Sequence, residues 1–179
     1  MSVTNSTFNS NQAAQNGGGI VNSDAATITN STFSANTATN FGAIRNGGTL
    51  DLISSTLTLN SGTNQGGGIF NTATANIRNT IIAGNTAPLN PDVDGTFTSE
   101  GNNLIGNGPG AGFTNGVNGD LVGTAGTPIN PNLGALAHNG GPTQTHALNV
   151  GSPAIDRGNS AIAPAWRSAW LNSAFWQQC

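Results

Sequence analysis

The chain has 179 residues, a net charge of −3 and only 6% charged residues, against roughly 25% in an average soluble protein. It contains no lysine, and its four cations, Arg45, Arg78, Arg157 and Arg167, are too scattered for the basic cluster that nucleic-acid binding needs. No apolar run reaches the ~18 residues of a membrane-spanning helix, and the one cysteine, Cys179, excludes an internal disulfide and a Cys-based zinc site.

From the N-terminus onward one pattern recurs. Asn5-Ser6-Thr7-Phe8-Asn9-Ser10-Asn11 aligns with Asn30-Ser31-Thr32-Phe33-Ser34-Ala35-Asn36, with Ser54 to Asn60, and with Arg78 to Asn85. Phe8, Phe33, Leu57 and Ile82 are spaced by 25, 24 and 25 residues. Ile20, Ile44, Ile69 and Val93 keep steps of 24, 25 and 24, and Ile28, Leu52 and Ile77 form a third column. A period in this range marks a solenoid, in which each repeat buries its apolar face only against its neighbours.

Each repeat holds three predicted strands. One follows a glycine cluster (Gly17-Gly18-Gly19-Ile20, Gly42-Ala43-Ile44, Gly66-Gly67-Gly68-Ile69), one alternates as in Thr27-Ile28-Thr29 and Leu50-Asp51-Leu52, and one is the Ser-Thr-Phe segment. Short period-2 stretches between Gly and Asn read as strands, not helices. The expected fold is therefore all-β, a right-handed single-stranded parallel β-helix of about 24–25 residues per turn with an irregular C-terminal cap. Two asparagine columns keep the same register: Asn11, Asn36, Asn60 and Asn85, and Asn22, Asn46 and Asn71. They predict side-chain amide ladders between turns, with asparagine also suited to left-handed corners. Met1-Ser2-Val3 already lies inside a strand segment with no capping element before it, so the reading expects further turns in a longer protein.

The Gly-Gly-Gly-Ile and Phe-x-x-Asn motifs, carried by Ile20, Ile44 and Ile69 and by Phe8–Asn11 and Phe33–Asn36, resemble the repeats of bacterial polymorphic membrane proteins and autotransporter-like passengers. Phe41 stands where that pattern usually has glycine. The second half carries Ser99-Glu100-Gly101-Asn102-Asn103-Leu104-Ile105-Gly106, then Gly119-Asp120-Leu121-Val122-Gly123, Asn132-Leu133-Gly134-Ala135-Leu136, Asn139-Gly140-Gly141-Pro142 to Leu148, and Gly151-Ser152-Pro153-Ala154-Ile155-Asp156. This string resembles the choice-of-anchor Q domain of bacterial surface β-helix proteins. The resemblance implies a secreted or outer-membrane-associated product, with glycans or host and cell-surface proteins as partners, and no known catalytic reaction. Residues 1–20 hold no apolar h-region, so export rests on the resemblance alone.

The expected organisation is one β-helix domain over 1–160, with regular repeats in 1–87 and final turns plus cap in 88–160. Ile105 falls near the phase of Ile82, and Val117 falls 24 after Val93, extending the coil. Pro128, Pro131, Pro142 and Pro153 then break ladder pairing, since proline lacks the backbone donor. The tail at 161–179 carries Trp166, Trp170 and Trp176 and departs from the pattern. It reads as a helix covering the open end, as an interfacial anchor, or as non-native sequence from a reading-frame boundary.

Candidate chemistry is sparse. The acids are Asp24, Asp51, Asp92, Asp94, Glu100, Asp120 and Asp156, mostly in different repeat phases, and Asp51 has Thr27 and Asn76 as its stacked neighbours. Only Asp92-Val93-Asp94 brings two together; with Val93 inward both carboxylates should face solvent, a weak calcium candidate. His138 and His146 have no third ligand at metal spacing, and His146 reads as a structural hydrogen-bonder. Ser152, His146 and Asp156 name the types of a hydrolase triad, but Gly151-Ser152-Pro153 is no nucleophile elbow. No cofactor is expected. The leading functional expectation is a non-enzymatic display or adhesion rod. The alternative is a carbohydrate-active β-helix enzyme, lyase or hydrolase, whose site is missing or degenerate.

Overall fold

The structure, a computed structural model, describes residues 1–108 and 111–162; the tryptophan tail from 163 onward lies outside them. Its body is a parallel β-solenoid of about 4 turns. Sheet A stacks Ser2–Thr4, Ala25–Thr29, Thr49–Ile53, Thr74–Arg78 and Thr98–Gly101. Sheet B stacks Thr7–Asn9, Thr32–Ser34, Thr56–Thr58, Ile81–Ile82, Leu104–Ile105 and Leu121–Val122. Sheet D stacks Ile20–Asn22, Ile44–Asn46, Ile69–Asn71 and Val93–Gly95. These are the three expected strands of each repeat.

A fourth wall, sheet C, joins Gln12–Asn16, Thr37–Asn40 and Ser61–Gln65. The sequence reading did not contain it. Its inward positions pair as Ala13↔Ala38 and Ala38↔Gly62, too small to register as an apolar column. The glycine clusters next to it are sterically required. A Cβ on Gly18 would lie 2.5 Å from the Gly42 carbonyl oxygen, and one on Gly42 would lie 2.5 Å from the Ser61 nitrogen.

The predicted columns form the core. Phe8 pairs with Phe33, Phe33 with Leu57, Leu57 with Ile82, and Ile82 with Ile105. Ile20, Ile44, Ile69 and Val93 align in sheet D, and Phe33, Ile44, Leu57 and Ile69 are wholly buried. Phe8 and Phe33 stack face to face with ring centroids 4.6 Å apart. Left-handed residues mark three corners of each turn: Asn5, Asn30, Ser54 and Asn79 between sheets A and B; Ser10, Ala35, Leu59 and Gly84 between B and C; Gly17, Phe41 and Gly66 between C and D. The ladder asparagines are therefore not the left-handed residues; Asn11, Asn36, Asn60 and Asn85 each follow one.

The second half does two things. Val93–Gly95, Thr98–Gly101, Leu104–Ile105 and Leu121–Val122 continue the walls, and Phe113 packs on Phe97 with ring centroids 5.7 Å apart at that end of the core. Val117 adds nothing to the column; it is 50% exposed in a loop. The proline-marked stretch first lies on the last turn, where Ile129 N–H donates to the Gly106 carbonyl at 2.9 Å, and then runs as a strap along the flank. Leu133–Ala137 and Thr145–Leu148 form an antiparallel hairpin that lies against the outer face of sheet B. The Thr7 hydroxyl donates to the Gln144 carbonyl at 2.8 Å, while Asn79 exchanges two 2.9 Å bonds with the Asn159 backbone. Leu148 and Ala154 join Ile81, Ala83 and Leu104 in a second apolar cluster. Pro142 and Pro153 suit this position because a strap outside the stack has no turn above or below it to pair with.

Candidate functional site: side-chain ladders and their acidic ends

The best-defined polar chemistry of the molecule runs through its turns. Asn11 Nδ2 donates to Asn36 Oδ1 at 2.8 Å, Asn36 to Asn60 at 2.9 Å, and Asn60 to Asn85 at 2.8 Å. The same amide oxygens accept backbone N–H bonds: Asn36 N–H donates to Asn60 Oδ1 at 3.0 Å and Asn60 N–H to Asn85 Oδ1 at 3.0 Å. The remaining amide hydrogens go to carbonyls, Asn60 Nδ2 to Phe33 O and to Thr58 O at 3.0 Å each. Asn36 and Asn60 are wholly buried, so these bonds satisfy groups that water does not reach. The second predicted ladder is equally real: Asn22 donates to Asn46 and Asn46 to Asn71, both at 2.7 Å.

Both ladders have a direction, since each amide donates toward the next turn. The first ends on Asp92, whose Oδ1 accepts from Asn85 N–H at 3.0 Å and from Asn85 Nδ2 at 2.8 Å. This overturns the sequence expectation for Asp92 and Asp94. Asp92 is 3% exposed and faces inward to the ladder, while Asp94 lies on the outer face and accepts from Asn90 at 3.0 Å. Asp92 immediately precedes its strand, where pleat alternation does not set side-chain direction, so the pair does not converge on one solvent-facing site. Burial raises the Asp92 pKa from 3.8 to about 6, partly offset by hydrogen bonds from Asn85 and from the Asn107 backbone. The second ladder ends differently. Gly95 pairs with Asn71 and brings no side chain, and Asn71 Nδ2 donates to the Thr96 carbonyl instead.

A third ladder escaped the sequence reading. Backbone N–H groups of Ser6, Ser31, Ser55 and Thr80 donate in turn to Ser31 Oγ, Ser55 Oγ, Thr80 Oγ1 and Asn103 Oδ1, at 3.1–3.3 Å. It too ends on a carboxylate: Asp120 Oδ1 accepts from Asn103 N–H at 2.9 Å, and its Oδ2 accepts from Ser99 Oγ at 2.6 Å. The signal was available, because Ser6, Ser31, Ser55 and Thr80 keep the repeat period.

The other candidate residues are each engaged apart. His146 is 2% exposed; its Nδ1 lies 2.7 Å from the Gly134 carbonyl and its Nε2 2.9 Å from Ser34 Oγ. The carbonyl can only accept, so Nδ1 carries the proton and Nε2 accepts from the serine. Burial lowers the His146 pKa. Ser152 Oγ donates to the Pro131 carbonyl at 2.6 Å and Asp156 is an exposed turn residue, so the triad types do not assemble. Asp51 accepts from Asn76 at 2.9 Å, its expected stacked neighbour, and Glu100 pairs with Arg78. Among the described residues no group of three His, Cys, Asp or Glu is placed to hold a metal ion. A shallow groove of about 410 Å³ crosses sheet C, lined by uncharged residues including Gln12, Thr37, Thr39 and Thr63.

The chain matches no protein-family model, and comparison with curated proteins and with solved structures gives no significant match.

Proposed function

We propose that the chain is a non-enzymatic β-helix rod, secreted or displayed at a cell surface, that serves adhesion or display and meets glycans or surface proteins along its walls. The observation that carries this reading is the use to which the buried acids are put. Asp92 and Asp120 close ladders through hydrogen bonds to Asn85 and Asn103, which suits a stiff scaffold better than a site needing free acid–base partners. Three ladders across successive turns resist bending and local opening, as a rod requires. The resemblance of the repeats to surface passengers points the same way.

Two measurements test it. Protease and antibody access on intact producing cells should reach the chain; protection until lysis overturns the location. Product release from pectin, alginate and other acidic glycans, with and without calcium, should stay at background. Turnover that Asp92→Asn with Asp94→Asn abolishes makes the protein an enzyme.

A further inference from the structure

The outer face of sheet B is covered by the strap, whereas the outer column of sheet D meets only Phe41 and Asn90 of the adjoining loops in the ring stacks and side-chain hydrogen bonds of the described residues. Its strands alternate, so the middle residue of each points outward: Val21, Arg45, Phe70 and Asp94, aligned in register from turn to turn. The column therefore reads apolar, cation, aromatic, anion at rungs about 4.8 Å apart. Arg45 makes no ion pair or hydrogen bond in the described residues, in contrast to Arg78, which pairs with Glu100. Asp94 is held on one oxygen by Asn90 at 3.0 Å.

Phe70 is braced from the side. Its ring stacks on Phe41 at 4.0 Å between centroids, with only 5° between planes. Phe41 has φ of 60° at a corner whose equivalents are Gly17 and Gly66. A side chain there carries a steric strain that glycine does not. Strain kept at a position the repeat otherwise gives to glycine points to a use for the ring it supports.

Arg45 and Asp94 flank Phe70 by one rung each, which makes the column its own complement under a two-fold rotation. We propose that sheet D is an isologous docking face for a second copy of this chain, with the axis at Phe70. The two rods lie side by side and antiparallel. Arg45 of each copy meets Asp94 of the other, and the two Phe70 rings meet at the centre. Reciprocal pairing of this kind is what two-fold symmetry demands. The local strip is neutral although the chain carries −3, so close approach brings no net repulsion at the contact. The face is narrow, so association is weak and belongs to the small, transient class of interfaces. It does not depend on whether the rod serves adhesion.

Sedimentation of the intact chain tests this. A monomer–dimer equilibrium is expected within reach of ~1 mM protein, weakened in high salt because the charge pairs lie at an exposed rim. Arg45→Glu and Asp94→Arg should each be monomeric alone. Mixed together they should form a heterodimer, because the carboxylate introduced at position 45 of one copy then faces the guanidinium introduced at position 94 of the other. The native Arg45–Asp94 pair survives on the opposite side of the axis. Phe70→Ala should weaken self-association by about tenfold. Should a charge reversal fail to melt like the native chain, Arg45→Gln and Asp94→Asn serve in its place, each weakening association severalfold. A native chain that stays monomeric at ~1 mM, a charge reversal that leaves the dimer intact, or a mixture that stays monomeric overturns the proposal.

Discussion

The walls of the solenoid and the strap on its flank are held by different kinds of bonds. In the walls every contact recurs one turn later: an asparagine lost from the first ladder leaves partners above and below it unsatisfied. The strap is tied at unrepeated points, Thr7 to Gln144, Ser34 to His146, Asn79 to Asn159 and Asn102 to Arg157. Repetition makes damage in the walls propagate, whereas damage to one tie stays where it falls.

The largest expected effect is in the walls. Asn60→Ala strips Asn36 and the Phe33 carbonyl of buried partners, at about 1–3 kcal/mol for each group left unmade. A loss of roughly 3 kcal/mol in denaturant unfolding is expected, with all sheets unfolding together. Asn76→Ala, which removes only the outer bond to Asp51, should cost under about 0.5 kcal/mol. Equal shifts for the two would falsify the ladder as the source of wall stability.

Next comes the acid at the end of the first ladder. The folded chain holds the Asp92 proton with a pKa of about 6 against 3.8 ordinarily, so between those values it binds more protons than the unfolded chain. This contribution is complete below 3.8 and is lost as the pH rises through about 6. Asp92→Asn should flatten that arm of the stability–pH curve, a change of about 3 kcal/mol. A profile identical to the native one would deny Asp92 this role.

The smallest effect lies in the strap and has the opposite sign. His146 is buried neutral with a lowered pKa, so its contribution is present above the ordinary 6.5 and is lost as the pH falls below it. Hydrogen exchange, corrected for intrinsic pH dependence, should show strap residues opening on acidification while the walls stay protected. Ser34→Ala, which takes the donor from His146 Nε2, should loosen the same residues at pH 7 by about 1 kcal/mol. Opening of the sheets along with the strap would erase the distinction between the two regions.

What the sequence made legible follows from size and period. Phe33, Leu57 and Ile44 recur at a fixed interval and are large, so their columns and the asparagines in phase with them could be read directly. Sheet C could not, because Ala13, Ala38 and Gly62 carry almost no apolar signal. Asp92 was misjudged by extending strand alternation one residue beyond the strand that begins at Val93. The strap has no period to read; only the tertiary partners Ser34 and Asn79 show where it lies.

The direction of the first ladder bears on how such a chain can change length. Every asparagine amide in it hands a hydrogen forward, so an amide in last place would itself have a hydrogen left over. A carboxylate has none to give, and Asp92 ends the series without remainder. A duplicated or deleted 24- or 25-residue unit upstream leaves this arithmetic unchanged, because each new rung receives one hydrogen bond and passes one on. Growth by copying is thus neutral for this ladder anywhere before Asp92 and disruptive at it, so the constraint on its register is gathered in its last rung.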